Sequence, residues 1–172
     1  VYGSIPYDRD REVSCAYSLP TMKDELSRYA VRFSDYEGGS TIGTYLVDGA
    51  EQHGIEFFVF YAFVPAYNFG DVSEMVQGIS IEHDFKAWYD VMRRLNHMAD
   101  LNIDLSELEE QSYDLMVSMD AKIEELVEQM PDVDVRAYLE EVADDYEAKP
   151  FVPPLSDVWG KAIGNLLNDD DV

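Results

Sequence analysis

The chain has 172 residues, 47% of them apolar, enough for one globular domain with a real core and a stretch for two. Its 36 acids against 12 bases give a net charge of −24 at pH 7, a surface that repels phosphate backbones and anionic lipids and argues against nucleic-acid and membrane-surface roles. The single cysteine, Cys15, excludes an intramolecular disulfide and a multi-cysteine metal site, and no apolar run approaches the roughly 18 residues of a membrane span.

The charge is uneven. Residues 1–99 carry 15 acids and 8 bases, whereas residues 100–172 carry 21 acids and 4 bases. A solvated acidic face, a salty cytoplasm or a patch for a basic partner are all compatible with it, and a cytoplasmic location is expected.

Taken in order, "VYGSIPYDRDREV" is a loop rich in turn formers that enters a short strand over Val13–Leu19, with Cys15 as a buried structural thiol. Pro20 and Thr21 then open a short helix with Thr21 as its cap and Met22, Leu26, Tyr29 and Ala30 as its apolar stripe. From Ser40 the residues Ile42, Tyr45, Leu46, Gly49, Ala50 and His53 fall on one helical face, and Gly54 is placed to end that helix. "IEFFVFYAFV" has the composition of a strand buried on both faces, stopped by Pro65.

Beyond Asn68 a glycine-broken loop leads to a helix over Glu82–Ala99 with its apolar stripe at Phe85, Trp88, Tyr89, Val91, Met92, Leu95 and Met98. Asp104 or Ser106 caps a long helix bearing Leu108, Leu115, Met119, Ile123, Leu126 and Met130, which Pro131 ends. Asp132 or Asp134 starts another, with Val135, Tyr138, Leu139, Val142 and Tyr146 on one stripe. A last helix is expected after Ser156. The whole reads as one domain, a small α/β part over residues 1–80 and a helical part over 81–172.

"EGGST" before a helix could hold an anion on its free backbone N–H groups. The lysine of a P-loop and the glycine spacing of a Rossmann loop are both missing. The plainer reading gives Gly38 and Gly39 the turn, Ser40 or Thr41 the cap, and Glu37 the positive helix end. His53, His83 and His97 show no paired metal-ligand spacing; Glu82, His83 and Asp84 read as a helix start. No GxSxG element occurs, so nothing demands catalysis, and neither a cofactor nor a metal is expected.

Tyr36, Glu37, Gly38 and Gly39 opening a helix, followed by an apolar strand that ends in Val64, Pro65, Ala66 and Tyr67, give a pattern that resembles the proteasome assembly chaperone 2 family in its archaeal and bacterial form. Residues 99–133 and 135–169 are similar to that family's long helix and closing segments, so the resemblance runs from about Arg32 onward. It implies a phosphorylase-like mixed sheet flanked by helices, a predominantly helical C-terminal half, and self-association.

The family's first glycine-containing strand–helix segment has no counterpart here, so the chain is expected to represent the C-terminal portion. The tail ends Asp169-Asp170-Asp171-Val172, without the tyrosine of the archaeal proteasome-docking motif. The expected function is a protein-binding or scaffold module that pairs with itself and with another protein. Its binding residues would be Tyr36, Glu37, Gly38, Gly39, Ser40, Thr41, Pro65 and Tyr67. The alternative is a small-ligand binder or enzyme with an anion at the 38–41 loop and Glu37 as its acid–base group.

Overall fold

A computed structural model describes residues 2–34, 41–69, 78–147 and 151. Tyr36–Ser40 and the helix expected after Ser156 lie outside them. In chain order the elements are β1 (Tyr2–Gly3), β2 (Val13–Tyr17), α1 (Lys23–Leu26) between 3₁₀ turns at Pro20–Met22 and Ser27–Tyr29, β3 (Arg32–Phe33), α2 (Ile42–Gln52), β4 (Phe58–Ala62), β5 (Val64–Tyr67), β6 (Ile79–Ser80), α3 (Phe85–Met98), α4 (Ser106–Gln129) and α5 (Val135–Asp144). The fold is mixed α/β with a helical second half.

The described strands form two short sheets of three, ordered β1-β5-β6 and β3-β2-β4. Each mixes one parallel with one antiparallel pairing: β1 with β5 and β2 with β3 are parallel, β5 with β6 and β2 with β4 antiparallel. β4 and β5 are one extended run that changes partner at Phe63, from β2 to β1.

Two apolar clusters fill the space between layers. Tyr67, Phe69, Ile79 and Ile81 pack on Met119 and Ile123 of α4 and Val135 of α5. Val13 and Cys15 pack with Leu26, Tyr29, Val31 and Phe151. Cys15 is fully buried and burial pushes its thiol up to about 12, which leaves it protonated and inert.

Several expectations from the sequence change. Pro65 does not stop the strand but lies within β5, opposite Gly3. Pairing with β6 covers Ala66 and Tyr67 and ends at Pro65, the residue with no N–H to donate. β4 is half-buried rather than sealed on both faces. Thr21 makes no capping hydrogen bond, because Leu19 occupies the cap position and Pro20 begins the turn.

Helix ends are where local chemistry decided. Asp84 and Asp134 cap α3 and α5 by accepting from Ala87 N at 3.0 Å and Ala137 N at 3.0 Å. Asp104 accepts from Ser106 N ahead of α4. Gly54, at φ +66, follows α2 in the left-handed conformation that glycine adopts without penalty.

Candidate functional site

Thr41 is the one member of the 36–41 segment among the described residues. It is exposed and caps α2 with a reciprocal pair: its hydroxyl accepts from Thr44 N at 3.2 Å, while Thr44 Oγ1 accepts from Thr41 N at 2.8 Å. Its hydroxyl also lies 3.2 Å from Tyr61 OH on β4. Tyr67 is six residues further along the β4–β5 run, on the order of 20 Å away at ~3.3 Å per residue. Thr41 therefore meets the run at Tyr61, within β4, and Tyr67 lies at its far end, in β5. Pro65 and Tyr67 are both buried, and the Tyr67 hydroxyl donates to Ile5 O at 2.7 Å.

The apolar face of α2 is the first feature sequence periodicity found but misplaced. Periodicity predicts which residues share a face, and not what covers it. Gly43 is the buried residue of this helix, held close to Val59 and Tyr61 of β4. The adjoining face looks outward: Ile42 is 82% exposed, Tyr45 68% and Leu46 47%, with Ile55 at 57%. His53, expected to be half-buried, is exposed too, its ring bonded to Gly49 O at 2.8 Å. Tyr45, Leu46, Gly49, Ile55 and Phe57 line a shallow hollow of about 390 Å³ on this face.

A groove of about 240 Å³ lies at the other end of the run. Tyr67, Ile123, Leu139 and Ala143 form its floor; Asp8, Asp120, Glu124, Glu140 and Arg136 stand around it. Tyr7 OH donates to Asp120 Oδ1 at 2.5 Å, tying the N-terminal loop to α4. Burial first, and then the Asp120 carboxylate, raise the Tyr7 phenol, so this bond keeps its proton. Arg136 is paired with Glu124 at 2.6 Å.

Behind that loop lies a buried ionic cluster that periodicity missed, because charged residues at helical spacing normally mark a solvated face. Arg11 donates from Nε to Asp84 Oδ2 at 2.8 Å, and its NH1 reaches Pro6 O, Tyr7 O and Arg9 O at 3.1, 2.9 and 2.9 Å. The loop is thus wrapped around one guanidinium. On α3 the fully or nearly buried stripe is Lys86, Asp90 and Arg94, spaced by four. Trp88, expected in the core, is 48% exposed. Lys86 and Arg93 both hold Asp10, at 2.8 and 2.7 Å, and Arg94 Nε donates to Tyr29 O at 2.9 Å.

Burial raises the Asp90 carboxyl against the opposing pull of Lys86. Its Oδ1 lies 3.2 Å from Arg93 NH2 without the angle of a hydrogen bond. Burial lowers Arg94 to about 10, which still leaves it charged at neutral pH.

Asp10 differs. Burial would raise it, but Lys86 and Arg93 outweigh that and hold it below the ordinary carboxylate range. A depressed folded value gives stability that is present above the unfolded aspartate value of about 3.9 and lost as pH falls through the folded one. Wild type is therefore expected to exceed Asp10→Asn in urea midpoint at neutral pH, with the gap closing below about pH 4. A gap that is the same at neutral and acid pH would remove Asp10 from the account.

Among the described residues no group of three or more His, Cys, Asp or Glu is arranged to hold a metal ion, and no helix is long and apolar enough to cross a membrane.

A search of the curated proteins finds no match. Two solved structures are similar. One is a PAC2 family protein from Streptomyces avermitilis MA, with 24% identity, TM-score 0.58 and cover of 80% of this chain and 49% of that one. The other is a protein of unknown function from Corynebacterium glutamicum ATCC 13032, with 15% identity, TM-score 0.55 and cover of 82% and 45%. At these identities the likeness is one of fold, and the chain spans about half the length of each of these proteins.

The sequence model of the PAC2 family matches residues 1–127. The match starts ahead of Arg32, where the resemblance began, and stops within α4, short of the closing segment. It takes in both sheets and the α2 face, and covers about three-quarters of the chain: this protein belongs to the PAC2 family.

Proposed function

We propose that this protein is a protein-binding module that self-associates, a second copy docking on the outward face of α2. The observation that carries this is the exposure of Ile42, Tyr45, Leu46 and Ile55 together. Side chains this open present a contiguous apolar patch of a few hundred Å², the size that marks interaction sites on soluble proteins.

Charge argues for a second copy as the occupant. At −24, two molecules repel across most of their surfaces. The hollow on this face is lined by a single acid, Asp48, and otherwise by uncharged groups, so like faces meet there at a lower electrostatic cost than elsewhere, burying aromatic and aliphatic groups that suit an interface core. Thr41, the described member of the 36–41 segment, caps this helix. Pro65 and Tyr67 act from behind, as parts of the strand end that sets the frame.

Light scattering after size exclusion tests it. Wild type is expected above the 19.7 kDa of one chain, and more so in about 1 M salt, where the ~3 Å screening length suppresses like-charge repulsion. Tyr45→Asp with Leu46→Lys should return it to one chain, while Tyr113→Asp, on an exposed aromatic of α4, should not. A wild type that stays at 19.7 kDa in high salt removes the reading.

A further inference from the structure

The groove between the N-terminal loop, α4 and α5 answers to a different partner. Its floor is apolar and aromatic, with Tyr67 and Ile123 buried beneath it. At about 240 Å³ it falls below the ~300–1,000 Å³ usual for small-molecule and cofactor pockets. That volume suits one long side chain. The rim is anionic. Its single cation among the described residues, Arg136, is already engaged by both oxygens of Glu124, at 2.7 and 2.6 Å. Asp8 and Glu140 make no hydrogen bond or ion pair to another described residue, and both are exposed at the mouth.

We propose that this groove takes a lysine side chain from a basic segment of a partner protein. The methylene stem lies on Leu139, Ala143 and Tyr67, and the ammonium sits between Asp8 and Glu140. The pairing follows from two complementarities. An alkyl stem with a charged tip matches an apolar floor with an acidic mouth. The surrounding field also has one sign, since α4 and α5 together carry 11 acids and 2 bases, which draws a basic segment towards the site.

The site is built in advance. Tyr7 is pinned to Asp120, Tyr67 to Ile5 O, and Arg11 to the carbonyls of Pro6, Tyr7 and Arg9, so the wall bearing Asp8 is held from three sides. A wall fixed beforehand spares the ordering cost of binding. The proposal stands apart from self-association, because α2 takes no part in the groove.

The test is fluorescence anisotropy with a labelled acetyl-Gly-Leu-Lys-Leu-Gly amide and with its Nε-acetyl-lysine counterpart. The lysine peptide is expected to bind, and the acetylated one about tenfold more weakly, since acetylation removes the charge and keeps the stem. Asp8→Asn with Glu140→Gln should lower affinity about tenfold, as loss of a matched charge at a contact does. Glu110→Gln with Asp114→Asn, an equal charge change elsewhere on α4, should leave it within about twofold, as expected for a distant screened charge.

Arg136→Ala removes the competing cation and frees Glu124, and should tighten binding severalfold. Thermal melts confirm that each variant is folded. Equal binding of both peptides, equal losses from the two double variants, or no binding of the lysine peptide would each overturn the proposal.

Discussion

Replacing Asp84 with alanine is expected to lower stability by about 4 kcal/mol, the scale of stripping one partner from a buried ion pair. The reason is the company Asp84 keeps. The Arg11 side chain is 0% exposed and that of Asp84 2%, with 2.8 Å between them. Without the carboxylate, the guanidinium keeps its charge in a dry site. The same substitution frees the Ala87 N–H at the start of α3, a cap worth about 1 kcal/mol.

For a chain of this length about 4 kcal/mol corresponds to a fall of roughly 10 °C in Tm. Because Arg11 also organises the loop at residues 6–9, the lysine-peptide groove should lose affinity alongside. Replacing both partners, Arg11→Met with Asp84→Leu, should recover much of the loss, because no charge is then left unpaired. The contrast is Glu124→Ala. Its pair with Arg136 is 58% exposed on each side and worth under about 1 kcal/mol. Urea unfolding of the variants decides it. A loss from Asp84→Ala no larger than that from Glu124→Ala would mean that the cluster is hydrated and contributes little.

Tyr67→Ala is expected to cost about 3–5 kcal/mol, the range for emptying a buried aromatic site. Tyr67 is 2% exposed and packs against Phe69 and Tyr138, with ring centroids 6.4 and 6.3 Å away. Its hydroxyl satisfies Ile5 O at 2.7 Å. Tyr67→Phe keeps the packing and removes only that bond, and should cost about 1 kcal/mol. The alanine variant should also lose the lysine peptide, because both the groove floor and the Ile5 anchor go. The phenylalanine variant should keep most of it. Stability unchanged in Tyr67→Ala by chemical denaturation would show that the tyrosine is not the core residue its burial implies.

How far the sequence reached can be judged from particular residues. Cys15, β2, the helix start at Glu82–Asp84, Asp134 as one of two caps offered for α5, and the end of α4 followed from local rules, because alternation, capping and proline act within a few residues. α3 itself begins at Phe85, three residues after the expected Glu82, with Asp84 as its cap. The mixed α/β class with a helical second half followed from the order of those segments. The stripe of α2 was legible as a stripe. Its outward direction was not, because which face a helix buries depends on what lies across from it.

The largest gap was α3. Lys86, Asp90 and Arg94 share one face, and charge at such spacing ordinarily means solvent. The signal that could have found the cluster is the scarcity of bases. With 12 in the chain, the grouping of Lys86, Arg93 and Arg94 on one short helix is itself unusual, and Asp84 and Asp90 lie beside them. Of the expected site residues, Thr41 and Tyr67 proved to stand apart, joined by a strand rather than by a pocket. The groove floored by Tyr67 was invisible in the sequence because its walls come from residues more than a hundred positions apart, such as Tyr7 and Asp120.

The change of partner at Phe63 has a thermodynamic consequence. One extended run carries the ladder to β2 on one side of that residue and the ladder to β1 on the other. Breathing that releases Phe58–Ala62 must drag Val64–Tyr67 out of register across a single residue, Phe63. The two small sheets, which share this one run, therefore open in concert. Slow amide exchange should extend across Phe63 without a step, and the molecule owes its cooperativity there to the covalent chain as much as to the contacts around it.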